Sequence, residues 1–228
     1  MKNKNFYKLI LILIVNFIIS NTVHSEQFNF DVTEIEIFDK GNLYKGLKRG
    51  TITTDDGIVI EANTFVYNKI TNIVDAEGSV KVEDTINNYL LFSDTATYNR
   101  NEEIVITEGN SKGIDDKNRT ITSDKLTYNK ITNIVDAEGS VKVEDTINNY
   151  LLFSDTATYN RNEEIVITEG NSKGIDDKNR TITSDKLTYN KITNIVDAEG
   201  SVKVEDTINN YLLFSDTATY NRNEEIVI

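Results

Sequence analysis

The sequence predicts an all-β protein that runs as one elongated array of units about thirty residues long. Three observations carry that prediction. Residues 67–127 return unchanged as 128–188 and, in part, as 189–228, and self-similarity at fixed spacing marks units that need neighbours to bury an apolar face. The repeated stretch itself divides, because Tyr67-Asn68-Lys69 with Ala76-Glu77-Gly78 is answered by Tyr98-Asn99-Arg100 with Thr107-Glu108-Gly109, so Tyr recurs at 67, 98, 128, 159, 189 and 220 and Gly at 78, 109, 139, 170 and 200. Beyond residue 28, β-branched and aromatic residues alternate with polar ones between short Gly, Asn and Asp punctuation, without helical periodicity and without Pro.

The chain opens on a leader. Lys2, Lys4 and Lys8 precede an apolar run over residues 9–19, and Val23 and Ser25 stand at −3 and −1 of a cut before Glu26. Residues 1–25 are predicted to be a secretory signal peptide, with a run too short to span a bilayer comfortably. The remaining 26–228 form one repeat domain.

Within it, residues 28–37 read as an opening strand. Residues 38–66 are a divergent first unit, with Gly50, a tight turn at Asp56-Gly57 and a strand over 58–67. In the typical unit, residues 74–83 alternate as a half-buried strand, 84–88 turn, and 89–98 form the next strand. Overlaying the copies exposes a change of register. Ile60 and Ala62 are followed by Phe65 and Tyr67, Leu91 and Ser93 by Ala96 and Tyr98, and Ile121 and Ser123 by Leu126 and Tyr128. The step inside each set is two, but three between pairs, so one residue is inserted at Asn63-Thr64, Asp94-Thr95 or Asp124-Lys125. A β-bulge or corner does this, and Asn and Asp suit it. The strands bend there and keep their apolar side toward one interior. Ile228 matches Ile106 and Ile167 in mid-strand, so truncation at the C-terminus is expected.

Composition narrows the chemistry. Cys is absent and the only His, His24, lies in the leader, leaving no thiolate or imidazole for catalysis or metal binding. The chain holds 24 basic and 37 acidic residues; removing the three leader lysines leaves 21 against 37, a net charge of −16. Such a surface repels nucleic acid. Asp115-Asp116 and Glu83-Asp84 lack the ligand spacing of a calcium loop. Ser93-Asp94 and Ser123-Asp124 have no base to activate a nucleophile and read as corner residues. The recurrent Tyr residues read as rings stacking inside the array, and the Glu-Gly pairs as places of tight backbone approach. No enzyme activity and no cofactor are expected.

Function therefore falls to the enclosed surface. Ile60, Ala62, Phe65, Tyr67, Val74, Ala76, Val80, Val82, Leu91, Ala96, Tyr98, Ile121, Leu126 and Tyr128 are predicted to line it, and an apolar trough of this kind could hold acyl chains at roughly 0.8 kcal/mol per buried methylene. The same pattern fits a second interior, in which the side chains fill the space themselves, as in a secreted β-solenoid adhesin or structural repeat protein. Phe28, Phe30, Val32, Ile35 and Ile37 are the candidates for an open edge.

Phe30-Asp31-Val32-Thr33-Glu34-Ile35, Gly50-Thr51-Ile52-Thr53-Thr54-Asp55-Asp56-Gly57, Ile60-Glu61-Ala62, Phe65-Val66-Tyr67 and residues 73–82 together resemble the OstA-like domain. That domain is shared by the lipopolysaccharide-transport proteins LptA and LptC and by the N-terminal part of the outer-membrane protein LptD, which the opening resembles most. The resemblance covers 28–228. It implies a V-shaped antiparallel β-jellyroll whose apolar interior shields lipopolysaccharide acyl chains, a periplasmic location, and joining to other Lpt jellyrolls by edge-strand pairing. The Cys residues that tie the parts of some LptD proteins together are missing, as is a membrane barrel; a complete chain would act as an LptA-like bridge, a fragment as part of LptD at the outer membrane.

Overall fold

The computed structural model describes residues 28–228. The expected leader lies outside these residues. The described chain is an antiparallel meander: β1 (Phe28–Val32), β2 (Ile35–Phe38), β3 (Leu43–Gly46), β4 (Gly50–Thr54), β5 (Ile58–Ala62), β6 (Thr64–Asn68), β7 (Ile73–Asp84), β8 (Tyr89–Asn99), β9 (Ile104–Ile114), β10 (Thr120–Asn129), β11 (Ile134–Asp145), β12 (Tyr150–Asn160), β13 (Ile165–Ile175), β14 (Thr181–Asn190), β15 (Ile195–Asp206), β16 (Tyr211–Asn221) and β17 (Ile226–Val227). All 17 belong to one sheet, and sequence neighbours from β7 onward pair with each other. Among the described residues the one helical element is a 3₁₀ turn, Asp39–Gly41, and no helix is long and apolar enough to cross a membrane.

Each long strand has a register shift in the middle, and in β8 and β10 it falls where the sequence placed the inserted residue. In β8 the buried positions run 89, 91 and 93, then 96 and 98, and the pairing with β9 skips between Phe92 and Thr95. Ser93 bridges the bend by donating its hydroxyl to the Thr95 carbonyl, 2.7 Å away. The partner strand carries a bulge of its own at the same level. Pairing of β7 with β8 jumps from Glu77 to Val80 against Thr95 to Ser93, so two residues of β7 oppose one of β8. Gly109 fills the matching place in β9 with φ +76°, and a Cβ there would lie 2.6 Å from the Asp94 carboxylate. Only a residue without a side chain lets Asp94 lie over the corner.

The opening is cut at the corner. Residues 28–37 were expected as one strand, but they form two, because β1 pairs with β4 and β2 pairs with β3 in different halves of the sheet. The pairs β3 and β4, and β5 and β6, are likewise interrupted at the corner. From β7 onward the backbone crosses it unbroken.

The bend creates two half-sheets facing each other. One row of turns holds residues 55–57, 85–88, 115–119, 146–149, 176–180 and 207–210; the other holds 69–72, 100–103, 130–133, 161–164, 191–194 and 222–225. The apolar core lies between the halves as one cluster running from Phe28 to Tyr220.

Candidate functional site

The fourteen residues predicted to line the interior are all buried, and they come from β5, β6, β7, β8 and β10. Sequence inspection missed Ile52, Ile58, Tyr89 and Val105, which share the same core, as well as the buried Thr107 and Ser111 of β9. Thr107 and Ser111 satisfy their hydroxyls on the carbonyls of Leu126 and Asp124. Of the edge candidates, Phe28 has its backbone on the edge but its ring inside, 4.5 Å from the Tyr67 ring. Phe30 and Val32 are half-buried, whereas Ile35 and Ile37 are exposed at 38% and 57%. Among the described residues β1 pairs with β4 alone and β2 with β3 alone.

The open side of the bent sheet is closed by side chains. From β8 onward, each Tyr that ends a strand at one row of turns donates its phenolic hydrogen to an Asp at the other row: Tyr98 to Asp56 at 3.0 Å, Tyr128 to Asp84 at 2.8 Å, Tyr159 to Asp115 at 3.4 Å, Tyr189 to Asp145 at 3.4 Å and Tyr220 to Asp176 at 2.9 Å. From β10 onward the partner always lies at the end of the strand three earlier, an offset of about 14 Å across the sheet at ordinary strand spacing. Burial first, and then the neighbouring carboxylates, hold these phenols well above their ordinary pKa. Tyr89 with Tyr128 and Tyr150 with Tyr189 add ring contacts across the gap at 5.1 and 4.9 Å.

A row of cations reinforces this seam. Arg100, Lys130, Arg161, Lys191 and Arg222 each stand two residues after a seam Tyr. Arg100 pairs with Asp55. Lys130 reaches Glu103 at 3.2 Å and Asp56 at 3.5 Å. Burial pushes the Asp56 carboxyl up, but hydrogen bonds from Thr54 and Tyr98 and the charges of Lys130 and Arg100 outweigh it and hold its pKa below the ordinary value. Glu164 accepts from Arg119 and Lys117 and lies 3.5 Å from Lys191. Despite partial burial, these contacts bring Glu164 down to about 2. Lys191 lies over the Tyr159 ring, 3.4 Å from its centroid, and burial followed by repulsion from Arg119 lowers it to about 7.

At the last strands, β14 to β17, a cavity of about 320 Å³ opens between Tyr150, Arg180, Ile182, Val204, Asp206 and Tyr220. Inside the array, where Arg119 and Lys191 cover the equivalent Tyr89, Ile121, Val143 and Tyr159, about 10 Å³ remains. That volume is too small for more than about one water.

Comparison with known proteins fits this architecture to a family. No curated protein matches the chain. Among solved structures the chain is similar to LptH from Pseudomonas aeruginosa, described as the LptA homologous periplasmic component of the conserved lipopolysaccharide transport device, at 14% identity over 83% of this chain and 94% of that chain, with a TM-score of 0.26. Residues 26–136 match the family described as OstA-like protein. Every residue beyond 136 is a copy of one between 67 and 127, inside the matched stretch. Residues 26–136 therefore carry an OstA-like domain, part of which the rest of the chain repeats.

Proposed function

We propose that the chain is a periplasmic component of lipopolysaccharide transport, a carrier and not an enzyme, that shields acyl chains between its two half-sheets. Its partners are lipopolysaccharide and other Lpt jellyrolls, joined edge to edge as in an LptA-like bridge or the periplasmic part of LptD. The OstA-like match over residues 26–136 supports the reading. The observation that carries it is the apolar interior, one continuous buried cluster running between the half-sheets from Phe28 to Tyr220. Entry there requires the seam to part. A hydrogen bond to a charged group contributes about 1.5–3 kcal/mol and a buried methylene about 0.8 kcal/mol, so roughly two to four methylenes offset each Tyr–Asp bond. An acyl chain supplies enough.

Edge joining is supported by β1 and β2, each of which pairs with a single strand among the described residues. A further strand added there completes their hydrogen bonds.

The volume of only about 10 Å³ left where Lys191 crosses the interior favours a second reading, a self-filled structural repeat protein. A photoreactive residue at Val80 or Leu91, inside, and at Lys81 or Thr97, outside, separates the two. The carrier forms lipopolysaccharide adducts from the inside sites only. Adducts from the outside sites alone, or from none, would sink it.

A further inference from the structure

We propose that Arg161 and Arg222 are phosphate-holding stations in the seam, each taking a phosphate group on the head of an amphiphile whose chains lie between the half-sheets. This rests on the acyl-chain reading above and adds the chemistry of the head group to it.

The seam cations differ in what they face. Lys130 and Lys191 meet carboxylates within 3.5 Å, and Arg100 pairs with Asp55. Among the described residues, Arg161 and Arg222 meet none. Arg161 donates to the Asn133 side-chain oxygen at 2.5 Å and the Asn87 carbonyl at 3.0 Å. Arg222 repeats this on Asn194 and on Asn148, both at 2.6 Å, with longer bonds to the Tyr189 hydroxyl and the Asn149 carbonyl. Each guanidinium lies over a ring, 4.4 Å from the centroid of Tyr89 or Tyr150. In both, Nε is buried and has no hydrogen-bond partner, and the hydroxyls of Tyr89 and Tyr150 are buried without one too.

A half-buried guanidinium with only neutral partners and an unused donor is an incomplete arrangement. The nearby Asp84 does not complete it. Its oxygens already accept from the backbone of Ile86 and Asn87, the Asn87 amide and Tyr128. What fits is an anion from outside the chain, and guanidinium matches the paired oxygens of phosphate better than any other side chain. Room exists beside Arg161. A polar cavity of about 200 Å³ is lined by it, Asn87, Asn133, Lys117 and Arg119, and also by Asp116 and Glu164. Glu164 is already engaged by Lys117, Arg119 and Lys191, and Asp116 is exposed. The two stations are four strands apart, about 19 Å at ordinary strand spacing.

Two arms test this on the intact chain. Inorganic phosphate is titrated while the Nε–H resonances of the arginines are followed. Arg161 and Arg222 are expected to shift together and saturate, with Arg180 unmoved, and R161K/R222K is expected to weaken the response. In the second arm, affinity is measured for lipopolysaccharide with its phosphates intact and after enzymatic dephosphorylation. Dephosphorylation or R161Q/R222Q is expected to cost at least about tenfold each, and the two together no more than either alone. Absent Nε shifts, or a double variant that still discriminates the two lipids as the wild type does, would overturn the stations. Loss of binding to both lipids in the wild type, with the phosphate response intact, overturns the carrier reading instead and leaves the stations as sites for free phosphate.

Discussion

Tyr128 on β10 donates to Asp84 at the end of β7, 2.8 Å away and 44 residues earlier. The bond ties one row of turns to the other, and the Tyr lies 5.1 Å from the Tyr89 ring. Asp84 also caps the turn that follows it, through the backbone of Ile86 and Asn87. Tyr128→Phe should therefore cost about 1.5 kcal/mol, since Asp84 keeps its other donors, whereas Asp84→Ala should cost at least about 3 kcal/mol by losing seam and turn together. Urea midpoints of the two variants and their double mutant give the coupling energy. A coupling indistinguishable from zero would remove the seam as a source of closure.

The corner makes a second demand. Gly109 sits at φ +76° with Asp94 over it, and Asn110 donates to the same carboxylate at 2.9 Å. Gly109→Ala should destabilise by about 1–3 kcal/mol, from left-handed backbone strain plus the displaced Asp94. Asp94→Ala removes the obstruction but not the φ, so the double variant should recover part of the loss. Thermal unfolding of the four proteins checks this.

How much of this was legible depended on whether the cause was local in sequence. The bend at Asp94 was visible because a strand with period two cannot take a step of three without an insertion. The answering bulge at Gly78-Ser79 was not, because along β7 the small and apolar residues keep their even spacing and the extra residue shows only in the register with β8. The break at Thr33-Glu34 did leave a trace, since Phe28, Phe30 and Val32 are even and Ile35 and Ile37 odd, but whether a strand bends or parts there is set by which half-sheet supplies the partner. The seam was the deepest omission. Asp84 read as a turn residue and Tyr128 as an interior ring, and no local pattern links opposite ends of strands three apart. One signal was available, the recurrence of Asp at 56, 84, 115, 145 and 176 in step with the Tyr series.

The free edge makes a third demand. On β2, Ile37 is 57% exposed, and among the described residues the strand pairs with β3 alone. An unpaired edge bearing apolar side chains invites another strand, and a Lys there discourages it. Ile37→Lys should leave thermal stability within about 0.5 kcal/mol of the wild type while lowering end-to-end association. Sedimentation velocity over a concentration series reads this directly. Equal association in both proteins would place the junction elsewhere.

Two lysines at equivalent places in the repeat should respond to substitution with opposite signs. Lys130 faces the divergent first turn, where Asp55-Asp56-Gly57 supplies carboxylates and no competing cation follows. Burial opposes its charge, but Glu103, Asp56 and Asp84 outweigh burial and raise its pKa. Lys191 faces the typical turn, where Arg119 already holds both Asp115 and Glu164. Burial and Arg119 therefore lower Lys191 from 10.5 to about 7. A base depressed on folding binds fewer protons folded than unfolded between pH 7 and 10.5, so its presence costs stability fully below pH 7 and progressively less as pH rises through that window. Lys191→Met should thus stabilise the protein near neutral pH by about 1–4 kcal/mol, with the gain shrinking toward pH 10.5. Lys130→Met should destabilise it at neutral pH by leaving Asp56 and Glu103 short of a cation. Urea denaturation of both variants between pH 6 and 10 measures the pair, and a Lys191→Met protein less stable than the wild type at pH 6 would mean that Glu164, not burial, governs that lysine.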